Sequence, residues 1–252
     1  MKHIISAEHL SIERVGEIIE KGYKLELGDD ARQRIQRCRE YLDKKIAENK
    51  APIYGVTTGF GSLCNVSVSG EELEQLQVNL MMSHACGVGD RVPNEIVKIM
   101  LLLKIQSLSY GFSGCKLDTV ERLIDFFNND IYPIVYMQGS LGASGALVPL
   151  AHLSLPLVGL GEVEFEGEVM TGAAILEKKG WKPIHLASKE GLALLNGTQN
   201  MSSFAVWGLL QAMKLSDWAD KIAVMSLEAY EGRPEPFTPA VHAVRPHKGQ
   251  ID

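Results

Sequence analysis

The sequence predicts a mainly α-helical fold with minor β-structure. Apolar residues recur at helical spacing through several long segments, and the starts of these segments carry helix-capping residues. Apolar–polar alternation of the kind a strand needs shows over one short stretch, Glu162 to Met170. With 252 residues and 46% hydrophobic content, the chain is long enough for a sizeable core and for one or two domains.

Taken in order, Ile4 and Ile5 start a short strand. Ser11 caps a helix whose Ile12, Val15, Ile18 and Ile19 share one face and which Gly22 ends. Asp29 and Asp30 open a longer helix carrying Ile35, Cys38, Leu42 and Ile46. Residues 53–63, Ile-Tyr-Gly-Val-Thr-Thr-Gly-Phe-Gly-Ser-Leu, read as an ordered loop. A helix beginning at Ser69-Gly70-Glu71-Glu72 brings Leu73, Leu76, Leu80 and His84 onto nearby faces. Asn94 to Leu108 is a strongly apolar, buried helix, and Leu117 to Phe127 is another. Three glycines within residues 139–145 precede a further helix. Val163, Phe165 and Val169 alternate around Gly167 as in a hairpin. Glu190 to Leu195 is a short helix ending at Asn196-Gly197, and Ser202 to Tyr230 is a long one without internal proline. Phe204, Leu209, Leu215, Trp218, Ile222 and Met225 cannot all point one way, so this last helix expects burial among other helices. The tail, Arg233 to Asp252, holds four prolines and no clear element.

Charge and cysteine usage exclude several function classes. The net charge is −6 with no basic stripe, which argues against nucleic-acid binding. Cys38, Cys64, Cys86 and Cys115 lie far apart and form no CxxC pair, so neither a zinc knuckle nor a redox motif is indicated. Scattered free thiols fit a reducing cytosol, and a cytoplasmic location is expected. The N-terminus carries charge too early for a secretory segment. The stretch Ala146 to Leu160 is interrupted by Pro149, His152 and Pro156 and is too short to span a bilayer.

The segment with chemical potential is Gly139-Ser-Leu-Gly-Ala143-Ser144-Gly145-Ala-Leu-Val-Pro-Leu. In a compressed turn, the Gly145 nitrogen can attack the Ala143 carbonyl carbon. Glycine suits that step because no Cβ obstructs the approach and unusual dihedrals are accessible. Loss of one water closes a five-membered ring, and loss of a second from Ser144 leaves an exocyclic methylene. The product, 4-methylidene-imidazol-5-one (MIO), is an electrophile made entirely from protein, formed where surrounding structure holds backbone strain. By itself the tripeptide is common and reads as a flexible turn before a helix. On residue type alone, Tyr54 is a hydrogen-bonded loop tyrosine, Asn196 half of an Asn-Gly turn, and His84 a core histidine satisfied by backbone.

Four motifs in order change that reading. The tripeptide segment resembles the signature of the histidine/phenylalanine ammonia-lyase family. Tyr54-Gly55-Val56-Thr57-Thr58-Gly59-Phe60-Gly61 resembles its Tyr-Gly-Val-Asn-Thr-Gly-Phe-Gly loop. Asn79 to Gly89 is similar to its substrate-selector helix, and Glu190 to Thr198 to the Asn-Gly segment beside the prosthetic group. The resemblance covers essentially the whole chain and is closest to histidine ammonia-lyases.

It implies a fumarase/aspartase-like ammonia-lyase fold. Residues 1–200 would form an N-terminal MIO-bearing domain with a minor β-hairpin, and residues 201–252 the first part of a central helical bundle and a tail. It implies a carbon–nitrogen lyase with MIO, formed autocatalytically from Ala143, Ser144 and Gly145, as cofactor and a small amino acid as substrate. Tyr54 matches the catalytic tyrosine, a competent base when deprotonated. Asn196 matches the asparagine that contacts MIO and the substrate carboxylate, its amide donating to developing negative charge. Ser83-His84 occupies the selector pair, where a histidine ring can hydrogen-bond an imidazole substrate, so histidine to urocanate plus ammonia is the expected reaction. No metal, nucleic acid or membrane is implied. His152 and Ser154 are read as packing residues.

The sequence departs from the family in two places. Ala146 stands where the family has an aspartate able to cap the next helix, preceded at Met137-Gln138 by a pair the family usually makes polar or charged. Family members are also about twice this length. Their second half supplies most of the helical bundle, a carboxylate-binding arginine, and a further tyrosine and glutamate, with active sites formed between subunits of a tetramer. A homo-oligomer or a second chain supplying the missing half is therefore expected. Three readings stay open: one half of a split lyase, a non-catalytic binding or regulatory paralogue, and a minimal enzyme that oligomerises differently.

Overall fold

The computed structural model describes residues 1–48, 51–59 and 72–251. The end of the glycine-rich loop at Phe60-Gly61, Cys64, the helix start at Ser69 to Glu71 and Asp252 lie outside the described residues. The described residues form two compact units, Met1–Trp207 and Gly208–Asp252.

The first unit opens with β1 (Lys2–Ile5), α1 (Ile12–Glu20) and β2 (Lys24–Leu27), where the two strands pair in parallel around the helix. Ser11 caps α1 as expected, its side chain accepting the Arg14 N–H, and Val15 and Ile18 are buried beneath it. The second strand and its parallel pairing have no signal in the sequence, because four residues are too few for a period-two pattern to stand out. Helix α2 (Asp29–Glu48) follows and begins at the paired aspartates. After it come α3 (Leu73–His84), β3 (Val88–Arg91) and α4 (Asn94–Ser109).

Helix α4 is the axis of the core. Ile96, Val97, Ile99, Met100, Leu101, Leu102, Ile105 and Leu108 are all buried, so the helix is covered on nearly every face. Helix α5 (Leu117–Asn128) packs along it and contributes Phe126 and Phe127. Strands β4 (Tyr132–Pro133) and β5 (Tyr136–Gln138) lead into α6 (Leu147–Ser154), which continues as a 3-10 turn over Leu155–Val158.

The expected hairpin is present as β6 (Glu162–Phe165) and β7 (Glu168–Thr171), extended by β4 into a three-stranded antiparallel sheet. Helix α7 (Gly172–Lys179), unanticipated by the sequence reading, starts at a Thr171 cap. Short helix α8 (Glu190–Leu195) ends at Asn196. Helix α9 (Gln199–Ala229) begins three residues before the predicted start and runs from the first unit into the second.

The tail corrects the sequence reading. It carries a 3-10 turn over Glu235–Phe237, α10 (Pro239–Ala243) and α11 (Lys248–Ile251). Pro239 occupies the first position of α10, where its missing N–H costs nothing. Along α9, Leu215, Trp218, Ile222 and Met225 are exposed. No helix among the described residues is long and apolar enough to cross a membrane.

Two close approaches set the position of α8. A Cβ on Gly191 would fall 2.8 Å from the Gln77 carbonyl oxygen of α3, and the Gly191 N–H donates to Gln77 Oε1 at 3.0 Å. Replacing Gly191 with alanine therefore pushes two helices apart. Gly191→Ala is expected to lower stability by about 1–3 kcal/mol, read as a reduced urea midpoint at unchanged slope; an unchanged midpoint would show that the contact yields freely.

Candidate active site

The site is built on the turn at Ala143-Ser144-Gly145. Gly142 and Ala143 each form a bridge contact with Gly145, closing the backbone on itself. Gly145 has φ +95°, in the region that favours glycine. A Cβ there would lie 2.6 Å from the Gly197 carbonyl oxygen and 2.8 Å from the Gly197 nitrogen. Glycine is thus required twice, by the dihedral and by the backbone pressed against it. The Ala146 N–H donates to the Gly197 carbonyl at 2.8 Å, and the Ser144 hydroxyl donates to Asn196 Oδ1 at 3.2 Å. Ala143 and Ser144 are exposed, whereas Ala146 is buried.

Asn196 reaches the turn because it caps the C-terminus of α8 in an extended conformation. Its Nδ2 donates to the Leu192 carbonyl at 3.2 Å. The sequence expectation has this amide donating toward the tripeptide; here the carboxamide presents its oxygen to Ser144 and its amino group to its own helix.

Helix α8 is held at both ends by buried charge. At its start Glu190, fully buried, accepts from the Lys116 N–H at 2.8 Å, Thr119 Oγ1 at 2.7 Å and the Ala187 N–H at 2.7 Å. At its end Lys104, 1% exposed, donates to the carbonyls of Ala193 and Asn196, both at 3.2 Å. Burial pushes the Lys104 ammonium down to about 8, with Cys115 opposing the shift, and burial pushes the Cys115 thiol up.

The other predicted residues stand on separate elements. Tyr54 is 63% exposed in a turn held by Thr57 and Thr58, whose hydroxyls accept the Ile53 and Gly55 N–H groups. Ser83 and His84 end α3. Ser83 Oγ donates to the Leu80 carbonyl at 2.9 Å, and His84 Nδ1 lies 2.8 Å from the same oxygen and 3.1 Å from Ser83 Oγ. Nδ1 of the His84 ring is thus taken up by its own helix. The structure brings the tripeptide, Asn196 and Gly197 into contact.

A second link ties α3 to the turn. Strand β3 pairs antiparallel with β5, placing Val88 opposite Gln138 just before the glycine-rich segment. His152 of α6 accepts the Gly87 N–H at Nε2, 3.0 Å away, and its ring meets Tyr136 edge-on at 5.1 Å. The sequence analysis gives His152 packing alone, does not single out Lys104, and has Gly197 only as part of the Asn-Gly segment, without its close approach to Gly145. Lys104 did leave a signal: it is a charge inside the apolar run Ile99 to Leu108. Ala146 is the N-cap residue of α6 and makes no side-chain cap bond. Pro149, third in the helix, has no N–H, so a carboxylate at position 146 would find only the Leu147 and Val148 amides. Among the described residues no cluster of His, Cys, Asp or Glu is placed to hold a metal ion.

Fold and site together define the N-terminal half of the ammonia-lyase architecture. The chain belongs to the aromatic amino acid lyase family, which matches residues 10–252. It is 44% identical over 247 residues to histidine ammonia-lyase 2 of Fusobacterium nucleatum, covering 98% of this chain and 48% of that protein. It is 45% identical over 250 residues to histidine ammonia-lyase of Symbiobacterium thermophilum, covering 99% and 49%. Among solved structures, Pantoea agglomerans phenylalanine aminomutase superposes with a TM-score of 0.92 at 34% identity, over all of this chain and 48% of that one. Histidine ammonia-lyase from Trypanosoma cruzi superposes at 0.90 and 35% identity, over 99% and 49%. The chain spans about half the length of the curated relatives it matches.

The His152 link makes stability pH-dependent with a definite sign. Burial holds the ring's pKa below 6.5, so the unfolded chain binds the proton more readily. The neutral ring's contribution is present above pH 6.5 and is lost as pH falls through the lowered value. The urea midpoint of the wild type is expected to drop between pH about 7.5 and about 5.5 by more than that of His152→Gln. Equal drops in the two proteins would remove His152 from the account.

Proposed function

We propose that this chain carries the electrophile of an amino-acid ammonia-lyase, and that the assembled site deaminates histidine to urocanate and ammonia. The observation that carries the reading is the Ala143-Ser144-Gly145 turn, closed on itself and pressed against Asn196-Gly197. Relatives named histidine ammonia-lyase support the substrate, as does an imidazole-binding candidate at Ser83-His84.

The residues fit an MIO group. Gly145 lacks the Cβ that Gly197 would exclude, and its bridges to Gly142 and Ala143 bring the turn back on itself. In ring closure a bond forms between the Gly145 nitrogen and the Ala143 carbonyl carbon. The carbonyl oxygen leaves as water with the amide hydrogens of Gly145 and Ser144. A second water takes the Ser144 hydroxyl, which already touches Asn196, and the Ser144 Cα hydrogen. The finished group supplies an exocyclic methylene that is electrophilic toward an amine. Asn196, with its carboxamide turned over, donates its Nδ2 hydrogens to negative charge at the turn. Tyr54 takes the β-proton of the substrate, and His84 orients the imidazole. Ala143 and Ser144 are exposed, so further polypeptide matching the relatives' second half, or another copy of this chain, supplies the remaining walls.

A second reading, a non-catalytic binding or regulatory member of the family, is favoured by one observation. Ala146 leaves the start of α6 without a side-chain cap beside the turn.

Intact mass separates the two. The purified chain is expected to have lost two waters, and Ser144→Ala is expected to retain its full mass. Persistence of the loss in Ser144→Ala would overturn the assignment of the tripeptide. Full mass in the wild type, with loss of two waters in Ala146→Asp, would establish the second reading. Addition of a polypeptide corresponding to the relatives' second half is expected to yield urocanate from histidine; a dehydrated chain that makes none would sink the histidine assignment.

A further inference from the structure

We infer that Lys104 is the positioning residue of the tripeptide turn, acting through the peptide group between Asn196 and Gly197. The inference rests on the reading above in one respect, that residues 143–145 undergo ring closure.

The geometry is a short chain of contacts. Lys104 lies on α4, the most buried helix of the core, and points its ammonium at the C-terminal end of α8. There it takes up the carbonyls of Ala193 and Asn196 at 3.2 Å each. These carbonyls belong to the last turn of the helix, where intrahelical donors have run out. The Asn196 carbonyl and the Gly197 nitrogen share one planar peptide group. Lys104 holds the oxygen of that plane, while its nitrogen stands 2.8 Å from where a Gly145 Cβ would be. The next carbonyl, that of Gly197, takes the Ala146 N–H at 2.8 Å. Fixing the plane at Lys104 therefore fixes the backbone surface against which the turn lies.

The choice of a charged group is informative. An apolar side chain would cost less to bury than an ammonium in α4. Among the described residues no carboxylate pairs with Lys104, and burial raises the pKa of the nearby Cys115 thiol. Its charge is spent on two carbonyls, and bonds from a charged donor are stronger than neutral ones. Glu190 performs the complementary task at the other end of α8, accepting from two N–H groups and a hydroxyl. The helix that presents Asn196 and Gly197 is thereby located along its axis by two buried side chains of opposite charge.

The test uses the whole chain made by cell-free translation, with intact mass followed over time and amide exchange measured at Ala146. Lys104→Met is expected to slow the loss of two waters by about tenfold or more and to speed Ala146 exchange by a similar factor, with α5 amides such as Phe126 unaffected. Lys104→Arg, which keeps the charge and the donors, is expected to restore most of both. If Lys104→Met does not fold, Lys104→Gln takes its place with the same expectation. Dehydration of the folded neutral variant at the wild-type rate, or equal slowing in Lys104→Arg, would overturn the inference. A wild type that never dehydrates defeats the proposed function instead. Ala146 exchange then decides the role of Lys104: faster exchange in the neutral variant supports it, and unchanged exchange overturns it.

Discussion

The Gly197 backbone lies so close to Gly145 that no side chain fits between them, and much of the site follows from that contact. It demands glycine at position 145, where the dihedral demands it as well. It places the Gly197 carbonyl over the Ala146 N–H, and it brings Asn196 within reach of Ser144. A turn alone would relax toward ordinary dihedrals. A turn pressed by a neighbouring backbone stays compressed only if the neighbour is itself immovable.

That immobility comes from how α8 is mounted. A six-residue helix is too short to hold itself together. It is instead pinned from three directions: Glu190 at its start, Lys104 at its end and Gly191 against α3. Taking the hydrogen-bond partners from a buried polar group costs its desolvation, on the order of 1–3 kcal/mol and more for a charged group. Mounts of this kind therefore resist displacement far more steeply than apolar packing of equal area. Lys104 also shows the cost of the device, since burial leaves its ammonium at about 8, well below the usual lysine value. Arg39 extends the same construction outward, donating to the Gly114 and Ser188 carbonyls at 2.9 Å and so tying α2 to the segment that leads into α8.

Much of this architecture was legible in the sequence where local chemistry dictates it. Ser11 caps α1, the paired aspartates open α2, Gly167 turns the hairpin, and Asn196-Gly197 ends α8. The tripeptide and its flanking glycines were legible for the same reason, because the demand is on the residue itself. What escaped reading is what depends on distant partners. The parallel pairing of Lys2–Ile5 with Lys24–Leu27 is carried by two four-residue strands brought together by α1. The tail with its four prolines shows no clear element in the sequence, yet Pro239 starts a helix, because proline is tolerated at a helix's first position. Lys104 sat in plain view within an apolar run, but its two acceptors lie 89 and 92 residues away. His152 meets Gly87 across 65 residues, and sequence spacing holds no trace of that bond.

The two units differ in what they leave unfinished, and this divides the proposed chemistry. Met1–Trp207 has its own core around α4 and contains every residue of the turn and its mount: Ala143 to Gly145, Asn196, Gly197, Lys104 and Glu190. The second unit contains most of α9, whose Leu215, Trp218, Ile222 and Met225 are exposed, and an isolated helix gains too little from propensity to bear that apolar surface unaided. Ring closure is an internal reaction of the turn. In the proposed reading, the groups that take part in it all lie in the first unit. Turnover is a different demand, because it needs walls around Ala143 and Ser144, which are exposed. On the proposed reading, maturation and catalysis therefore separate physically: the first rests on a backbone contact secured by buried polar groups, and the second on covering the exposed Ala143 and Ser144.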